Sequence, residues 1–251
     1  MRHSEASVEK VDIAAYTIPT DAPEGDGTLR WDSTTMIVCE IHAAGQVGLG
    51  YTYGDKATAS VCDAIATKSL IGRCALDILG IHTTIVEQVR NDGSRGIASM
   101  AISALDVALW DLKAKLLSLP LIDLFGAAQS GVAAYGSGGF TTYDNRQLVS
   151  QLSGWVAEDL KSVKMKIGAE PAADVDRVRV AREAIGANAN LFVDANGAFD
   201  ARNAIGFAEK ITEFNVTWIR RACQLRSTRR PSPRPRSSSE RHGNCRRRVR
   251  V

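Results

Sequence analysis

The sequence lacks the features that mark membrane-spanning and secreted proteins. No stretch reaches 18 uncharged apolar residues, and the nearest, IASMAISALDVALW (97–110), is interrupted by Asp106. The opening residues MRHSEASVEK contain no apolar segment of the kind that a secretory signal needs. The five cysteines show no CxxC or paired spacing. We therefore expect reduced thiols in a cytoplasmic protein without a membrane span.

Acidic residues are almost missing from the end of the chain. Residues 219–251 carry twelve arginines and one acid, Glu240, whereas residues 1–218 carry 19 basic and 27 acidic residues. The body is thus mildly acidic, and its basic tail is rich in arginine, serine and proline. A segment of this composition cannot bury enough apolar surface to fold, so we expect residues 219–251 to be disordered.

Hydrophobic periodicity predicts two domains before this tail. Residues 8–18 read as a strand and residues 34–53 as a hairpin, with a polar loop over 19–33 between them. Residues 57–71, 76–90 and 97–117 read as helices, which together predicts an α+β domain over 1–127. From residue 128 to residue 218 strands and helices alternate, beginning with VAAYGSGGF (132–140) as a strand. This alternation predicts a parallel sheet of about three and a half βα units.

Two short motifs place polar side chains on neighbouring strands of that sheet. KMK puts Lys164 and Lys166 on one face of a strand, where repulsion and desolvation lower the pKa of a lysine towards that of a usable base. DAN puts Asp194 and Asn196 near the end of the next strand, and such oxygen ligands suit Mg²⁺. Alone, KMK equally fits a solvated edge strand and DAN a strand-ending turn. Together, at the rim of α/β-barrel strands, they predict an active site.

The chain resembles the enolase superfamily, in particular its mandelate racemase and muconate lactonizing branch. The similarity is carried by ISALDVALWDLKAKLLSLPLIDLFG (102–126), VKMKIG (163–168) and VDANGAF (193–199). The resemblance implies a capping domain over 1–127, followed over 128–218 by an incomplete (β/α) TIM-type barrel. It also implies Mg²⁺-dependent removal of the proton next to a carboxylate, which gives an enediolate.

The resemblance also implies roles for individual residues. Lys166 would remove the proton, and Lys164 would hold the substrate carboxylate or assist the base. Asp194 would be the first Mg²⁺ ligand, with Asn196 as a polar neighbour of the site.

Two segments of the first domain are similar to those that close over substrate in this family, residues 19–33 and GYTYGDK (50–56). Trp31 and Tyr53 are the candidate substrate contacts, although both rings suit a core equally well. The implied substrate is a small carboxylate such as a hydroxy acid or a sugar acid. Racemase, dehydratase and cycloisomerase chemistry all stay open. Dimers and octamers occur in the resembled family, so a homo-oligomer is expected.

The fourth strand departs from the family pattern, W-[IF]-E-E-P, in which the first Glu is the second metal ligand. Here the sequence reads WIRRA (218–222), with Arg220 26 residues after Asp194, where that ligand is expected. A guanidinium has no acceptor and cannot bind Mg²⁺. Codons exist for Arg-Arg-Ala that read Glu-Glu-Pro one base later, which predicts a frameshift near Ile219 and early termination. We expect an incomplete metal site and no appreciable activity from this truncated chain.

A second interpretation makes the protein a non-catalytic binder. Residues 219–251 would then form a basic arm that binds nucleic acid or anionic surfaces without sequence specificity. No aromatic residue follows Trp218 to stack on bases, which disfavours an RNA-specific version. Salt-sensitive binding would distinguish this interpretation from catalysis.

Overall fold

The computed structural model of the protein describes residues 6–93 and 95–223 and the backbone of Arg248–Val249. Most of the arginine-rich segment lies outside the described residues, and so do the expectations that it is disordered or binds nucleic acid. Within the described part, no helix is long and apolar enough to cross a membrane. No disulfide joins the cysteines of that part.

The chain divides into two compact units. The first holds the residues up to Thr20 together with Ser33–Gly131, and the second holds Asp21–Asp32 together with the residues from Val132 onward. Sequence periodicity placed residues 21–32 in the first domain, whereas their contacts lie in the second unit. The reason is a long hairpin whose tip packs in the second unit, as described with the site below.

The first unit is built from a three-stranded sheet and four helices. Its sheet has the order β1-β2-β3, and β2 and β3 are antiparallel. Positive φ angles of 48° at Ala44 and 73° at Gly45 give the turn between them the geometry of a type I′ hairpin, which confirms the predicted hairpin. The elements are β1 (Lys10–Gly25), β2 (Arg30–Ala43), β3 (Gln46–Tyr53), α1 (Ala57–Ser69), α2 (Ile78–Gln88), α3 (Ile97–Leu116) and α4 (Leu121–Phe125).

The expectation of a loop over residues 19–33 is wrong for most of that segment. Strand β1 continues to Gly25 and β2 begins at Arg30, so only four residues turn between them. Asp26 makes this turn: its carboxylate accepts from the backbone N–H groups of Thr28 and Leu29 at 2.8 and 2.9 Å. A short Asx-type turn of this kind replaces the long loop that proline and glycine suggested.

Helix α3 lies very close to β3 because glycine occupies the contact. A Cβ on Gly50 would overlap the carbonyl oxygen of Ala104, and a Cβ on Gly48 would overlap that of Ala108. The helix presents alanines at this contact, and Ala104 and Ala108 are fully buried. Small residues on both elements therefore set the spacing of helix and sheet.

Replacing Gly50 with valine is expected to destabilise the first unit by about 3 kcal/mol or more, since a backbone oxygen cannot move aside cheaply. Urea unfolding followed by circular dichroism measures the loss. Gly131→Ala is the matched control, because a Cβ at Gly131 meets nothing within 4 Å. Equal stability of the two variants would show that the contact between α3 and β3 is looser than described.

The second unit contains the parallel sheet that the sequence predicts. The strand order is β4-β5-β6-β7-β8; the first four strands run parallel, and β8 pairs antiparallel with β7. Three βα pairs followed by β7 match the predicted three and a half units. The elements are β4 (Gly136–Ser137), α5 (Asn145–Ala157), β5 (Ser162–Lys166), α6 (Pro171–Ile185), β6 (Asn190–Asp194), α7 (Ala201–Lys210), β7 (Val216–Arg220) and β8 (Arg248–Val249).

Ordered structure continues past residue 218, where the tail was expected to begin. Ile219 lies in β7 and is buried, and Ala222 is buried too. The backbone N–H of Phe199 donates to the carbonyl of Ala222 at 3.1 Å. Residues 219–223 thus belong to the second unit, because buried apolar side chains and backbone hydrogen bonds hold this segment in it.

Candidate functional site

Three neighbouring parallel strands bring charged side chains together at their carboxyl ends. The register of β5, β6 and β7 sets Lys166, Asp194 and Arg220 side by side. Side chains alternate along a strand, so Lys164 shares their face. The opposite face is apolar and packs in the core of the unit; it carries Val163, Met165, Leu191, Val193 and Ile219.

Asp194 is the centre of this cluster. Its side chain is fully buried, and its Oδ2 accepts from Lys166 Nζ at 3.1 Å and from Lys164 Nζ at 3.3 Å. Lys166 Nζ also donates to Asn196 Oδ1 at 2.9 Å, and the Asn196 N–H donates to Asp194 Oδ1 at 3.1 Å. The structure therefore brings together the four residues that the two sequence motifs single out, while their catalytic roles stay predictions.

Two arginines complete the cluster. Arg221 donates two hydrogen bonds to Asp194, from Nε to Oδ1 at 3.1 Å and from Nη2 to Oδ2 at 2.6 Å. Arg220 Nη1 lies 3.9 Å from Oδ2. The φ of Arg221 is +45°, which breaks the strand alternation after β7 and allows consecutive arginines to reach one carboxylate. The sequence placed Arg220 where the second metal ligand is expected and unable to bind Mg²⁺, and it did not assign Arg221 to the site. The one signal for Arg221 was its position next to Arg220 in the sequence.

The charges of the cluster shift its pKa values in a consistent direction. Burial raises the pKa of Asp194, but the hydrogen bond from Arg221 and the charges of Lys166 and Lys164 outweigh it and hold that pKa well below its usual range. Burial and the neighbouring Lys166 charge lower the pKa of Lys164 to about 8. Asp194 offsets this only in part, because the one carboxylate is shared among several cations. The pKa of Lys164 thereby approaches the range of a usable base.

Aromatic rings cover the sheet beside these charges. Phe192 and Trp218 are in register with each other across β6 and β7, and their rings stack at 4.6 Å with an interplanar angle of 19°. Tyr135 meets the Phe192 ring edge-on at 5.5 Å. Phe192 also pairs in register with Lys164, so this aromatic cluster adjoins the lysines on the same face and limits their hydration.

The side chains of the cluster do not offer the free oxygen ligands that a divalent cation needs. Mg²⁺ requires oxygen ligands in near-octahedral geometry. A carboxylate has about four lone-pair positions, and those of Asp194 are already taken by Asn196, Arg221 and the two lysines. Arg220, the residue beside it in register, offers no acceptor. The expected magnesium site is therefore incomplete at the residues that the structure describes.

One other group in the described residues has metal-ligand side chains within reach of each other: Asp12, Glu40 and His42 in the first unit. His42 Nε2 lies 3.0 Å from Asp12 Oδ2, and Lys10 Nζ lies 2.7 Å from the same oxygen. The ammonium of Lys10 lowers the pKa of Asp12 and supplies its counter-charge. This group is accounted for as a surface ion pair.

Trp31 lies in the hairpin tip, which is part of the second unit. A Cβ on Gly27 would overlap the carbonyl oxygens of Ala195 and Ile167, so this tip sits directly on the ends of β5 and β6. The Trp31 Nε1–H donates to Glu24 Oε2 at 2.7 Å, and its ring meets Phe140 edge-on at 5.7 Å. The indole is engaged in packing, and its role as a substrate contact stays a prediction.

Tyr53 ends strand β3 in the first unit. Its side chain is largely exposed, and its ring contacts Tyr51 edge-on at 5.9 Å. These contacts are compatible with either of the roles that the sequence left open, and substrate contact stays a prediction here too.

A cavity of about 330 Å³ lies beside α5 and α6 and contains none of the clustered residues. Its polar lining is used by the fold: Asp144 accepts from the Gln147 N–H as the cap of α5, and Asp174 accepts from the Gly168 N–H at 2.6 Å. Arg177 donates to backbone carbonyls at 2.7 and 2.9 Å. The charged cluster, rather than this cavity, is the candidate site.

Comparison with known proteins links both units to one family. The domain described as "Mandelate racemase / muconate lactonizing enzyme, N-terminal domain" matches residues 26–126, and "Enolase C-terminal domain-like" matches residues 147–224. The L-talarate/galactarate dehydratase of Salmonella typhimurium is 33% identical over 224 residues, which cover 84% of this chain and 56% of the relative.

Two solved structures have the same fold. A mandelate racemase/muconate lactonizing enzyme-like protein from Rubrobacter xylanophilus superposes with a TM-score of 0.84 at 45% identity, over 86% of this chain and 61% of that one. A racemase from Streptomyces coelicolor, solved with bound magnesium, gives a TM-score of 0.82 at 32% identity, over 86% and 63%. The chain thus spans less than two thirds of the length of these proteins.

Proposed function

Because the chain belongs to the mandelate racemase / muconate lactonizing enzyme family of the enolase superfamily, we propose that its charged cluster is a form of that family's acid/base site. The reaction class is removal of the proton next to the carboxylate of a small acid, and the dehydratase relative points to a sugar acid such as galactarate. Racemase, dehydratase and cycloisomerase outcomes share this first step.

The observation that carries the proposal is the meeting of Lys164, Lys166 and Asp194 on one buried face. We assign proton removal to Lys166, whose Nζ is oriented by Asn196 and Asp194. Lys164 would hold the substrate carboxylate beside it. Asp194 stands where the family places a magnesium ligand.

We propose further that this chain, as its residues stand, does not turn over a substrate. An α-proton is very weakly acidic, so its removal needs strong stabilisation of the product charge. The carboxylate that would hold a metal is bound by Arg221 on both oxygens, and Arg220 stands at the next ligand position. The proposed lack of activity therefore rests on Arg220 and Arg221.

Proton exchange tests this proposal most directly. Incubation of residues 1–251 with galactarate and MgCl₂ in D₂O is expected to give no loss of the α-proton signal in the NMR spectrum beyond that of Lys166→Ala. Magnesium-dependent exchange that Lys166→Ala abolishes would contradict the inactivity and support the assigned base. Lys161→Ala, at an exposed lysine just before β5, is the matched control.

Binding of nucleic acid or anionic surfaces by the basic segment remains the alternative. It concerns residues most of which lie outside the described ranges, and it is favoured by the twelve arginines after residue 218. Removal of residues 224–251 is expected to abolish any binding to duplex DNA, and binding to the full chain should fall steeply between about 50 and 200 mM salt. Fluorescence anisotropy measures both, and salt-insensitive binding would exclude this kind of contact.

A further inference from the structure

We propose that Arg220 and Arg221 turn the position of the family's metal into a binding site for a small carboxylate that requires no divalent cation. The inference takes its substrate class from the proposed function and goes beyond it by assigning the arginines. The ligand is an acid with one or two carboxylates on a short polar chain.

The charge balance of the cluster calls for an anion. Four cationic side chains, those of Lys164, Lys166, Arg220 and Arg221, surround the carboxylate of Asp194, and one further acid, Asp26, acts electrostatically on Arg221. The side chains of Lys164 and Lys166 are 3% and 11% exposed, so water neutralises little of their charge. Buried charge without a partner is costly. A bound dianion would compensate most of the surplus.

Arg220 is the group that can receive this anion. Its side chain is 45% exposed, and its Nη1 approaches Asp194 Oδ2 only to 3.9 Å, beyond hydrogen-bond distance. Among the described residues no acceptor is hydrogen-bonded to its guanidinium. A guanidinium carries five donors in a planar fork that matches a carboxylate. Arg221, by contrast, donates two of its guanidinium hydrogen bonds to Asp194 and holds that carboxylate in place.

The neighbouring side chains add a second contact for the ligand. The register places Arg220 beside Asp194 and Lys166, so a carboxylate on Arg220 lies within the field of the lysines. Trp218 and Phe192, two residues earlier on the same strands, form an aromatic surface on that face. Partial exclusion of water there strengthens each charged hydrogen bond.

Calorimetry in EDTA tests the inference. Galactarate is the probe, galactitol is its uncharged counterpart, and inorganic phosphate represents an anion of different shape. Galactarate is expected to bind in EDTA, galactitol is not, and 5 equivalents of MgCl₂ in place of EDTA should not tighten binding. Arg220→Gln should weaken binding about tenfold, since a charged hydrogen bond contributes about 1.5–3 kcal/mol. Arg146→Gln, at an exposed arginine on α5, should leave it unchanged.

Several results would overturn the inference: binding only with magnesium, binding indifferent to Arg220→Gln, or phosphate bound as tightly as galactarate. Arg220→Lys separates folding from recognition, because it keeps the charge and loses the fork; intermediate affinity supports bidentate recognition, and affinity equal to the parent contradicts it. The readout is equilibrium binding without metal, whereas the proposed function is judged by proton exchange. The inference and the proposed function can therefore fail independently of each other.

Discussion

Replacing both arginines with glutamate, Arg220→Glu and Arg221→Glu, is expected to raise the affinity of the chain for Mg²⁺ at least tenfold. The change removes the Arg221 hydrogen bond from each oxygen of Asp194 and sets a second carboxylate beside it in register. A unit charge at 4 Å interacts by about 4 kcal/mol at an effective dielectric constant near 20, so even a third of one such term gives the tenfold gain. Calorimetric titration with MgCl₂ measures the affinity.

The control must carry the same change of charge away from the site. Arg146→Glu with Arg202→Glu reverses two exposed arginines on α5 and α7, so it shifts the net charge equally. We expect this pair to leave Mg²⁺ affinity unchanged. Equal gains in both double variants would show that overall charge alone raises the affinity for Mg²⁺. No gain in either would show that the arginine beside Asp194 is not the cause of the lost metal site.

Much of the fold follows from sequence because strong local signals agree with it. The alternation of strands and helices after residue 128 gives β5, α6, β6 and α7 within a few residues. Aspartates at 144 and 200 cap α5 and α7, a signal that sequence shows directly. The predicted strand over 132–140 shrinks to Gly136–Ser137, since its pairing with β5 covers only two residues. Pairing partners are set by tertiary structure, so strand length is poorly predicted from sequence.

The site divides in the same way. Spacing of two along a strand is enough to place Lys164 with Lys166, and neighbouring strands bring Asp194 to them. Arg221 escapes prediction because its contact depends on a positive φ after β7, and arginine gives no local signal for that conformation. The position of Trp31 depends on a hairpin tip whose packing partners are distant from it in the sequence. Local pattern therefore predicts the lysines and the aspartate, and tertiary geometry decides the rest.

The frameshift hypothesis gives the arginines a separate origin and stays a prediction. It requires that the nucleotide sequence near codon 219 yields Glu-Glu-Pro after a one-base change. Sequencing of that region decides it, and a reading frame that cannot yield these residues would leave WIRRA as a native variation of the family pattern.

Removing the charge of Asp194 is expected to cost more stability than any other single substitution in the cluster. In Asp194→Asn the two buried lysines and Arg221 lose the carboxylate that they share. Breaking a buried ion pair by removing one partner typically costs about 3–5 kcal/mol, because the charges left behind stay buried without compensation. We expect a loss of that size in the free energy of unfolding, measured by urea titration at pH 7.

The matched control exchanges the same residue type in an exposed pair. Asp159 and Lys161 form an ion pair with side chains 83% and 78% exposed, so Asp159→Asn should cost less than about 1 kcal/mol. Adding Lys164→Met to Asp194→Asn removes one of the orphaned charges and should restore part of the loss. If Asp194→Asn proved no more harmful than Asp159→Asn, the cluster would have to be hydrated and open. The pairing of two lysines and an arginine on one buried carboxylate, on which both the lost metal site and the proposed anion site depend, would then be wrong.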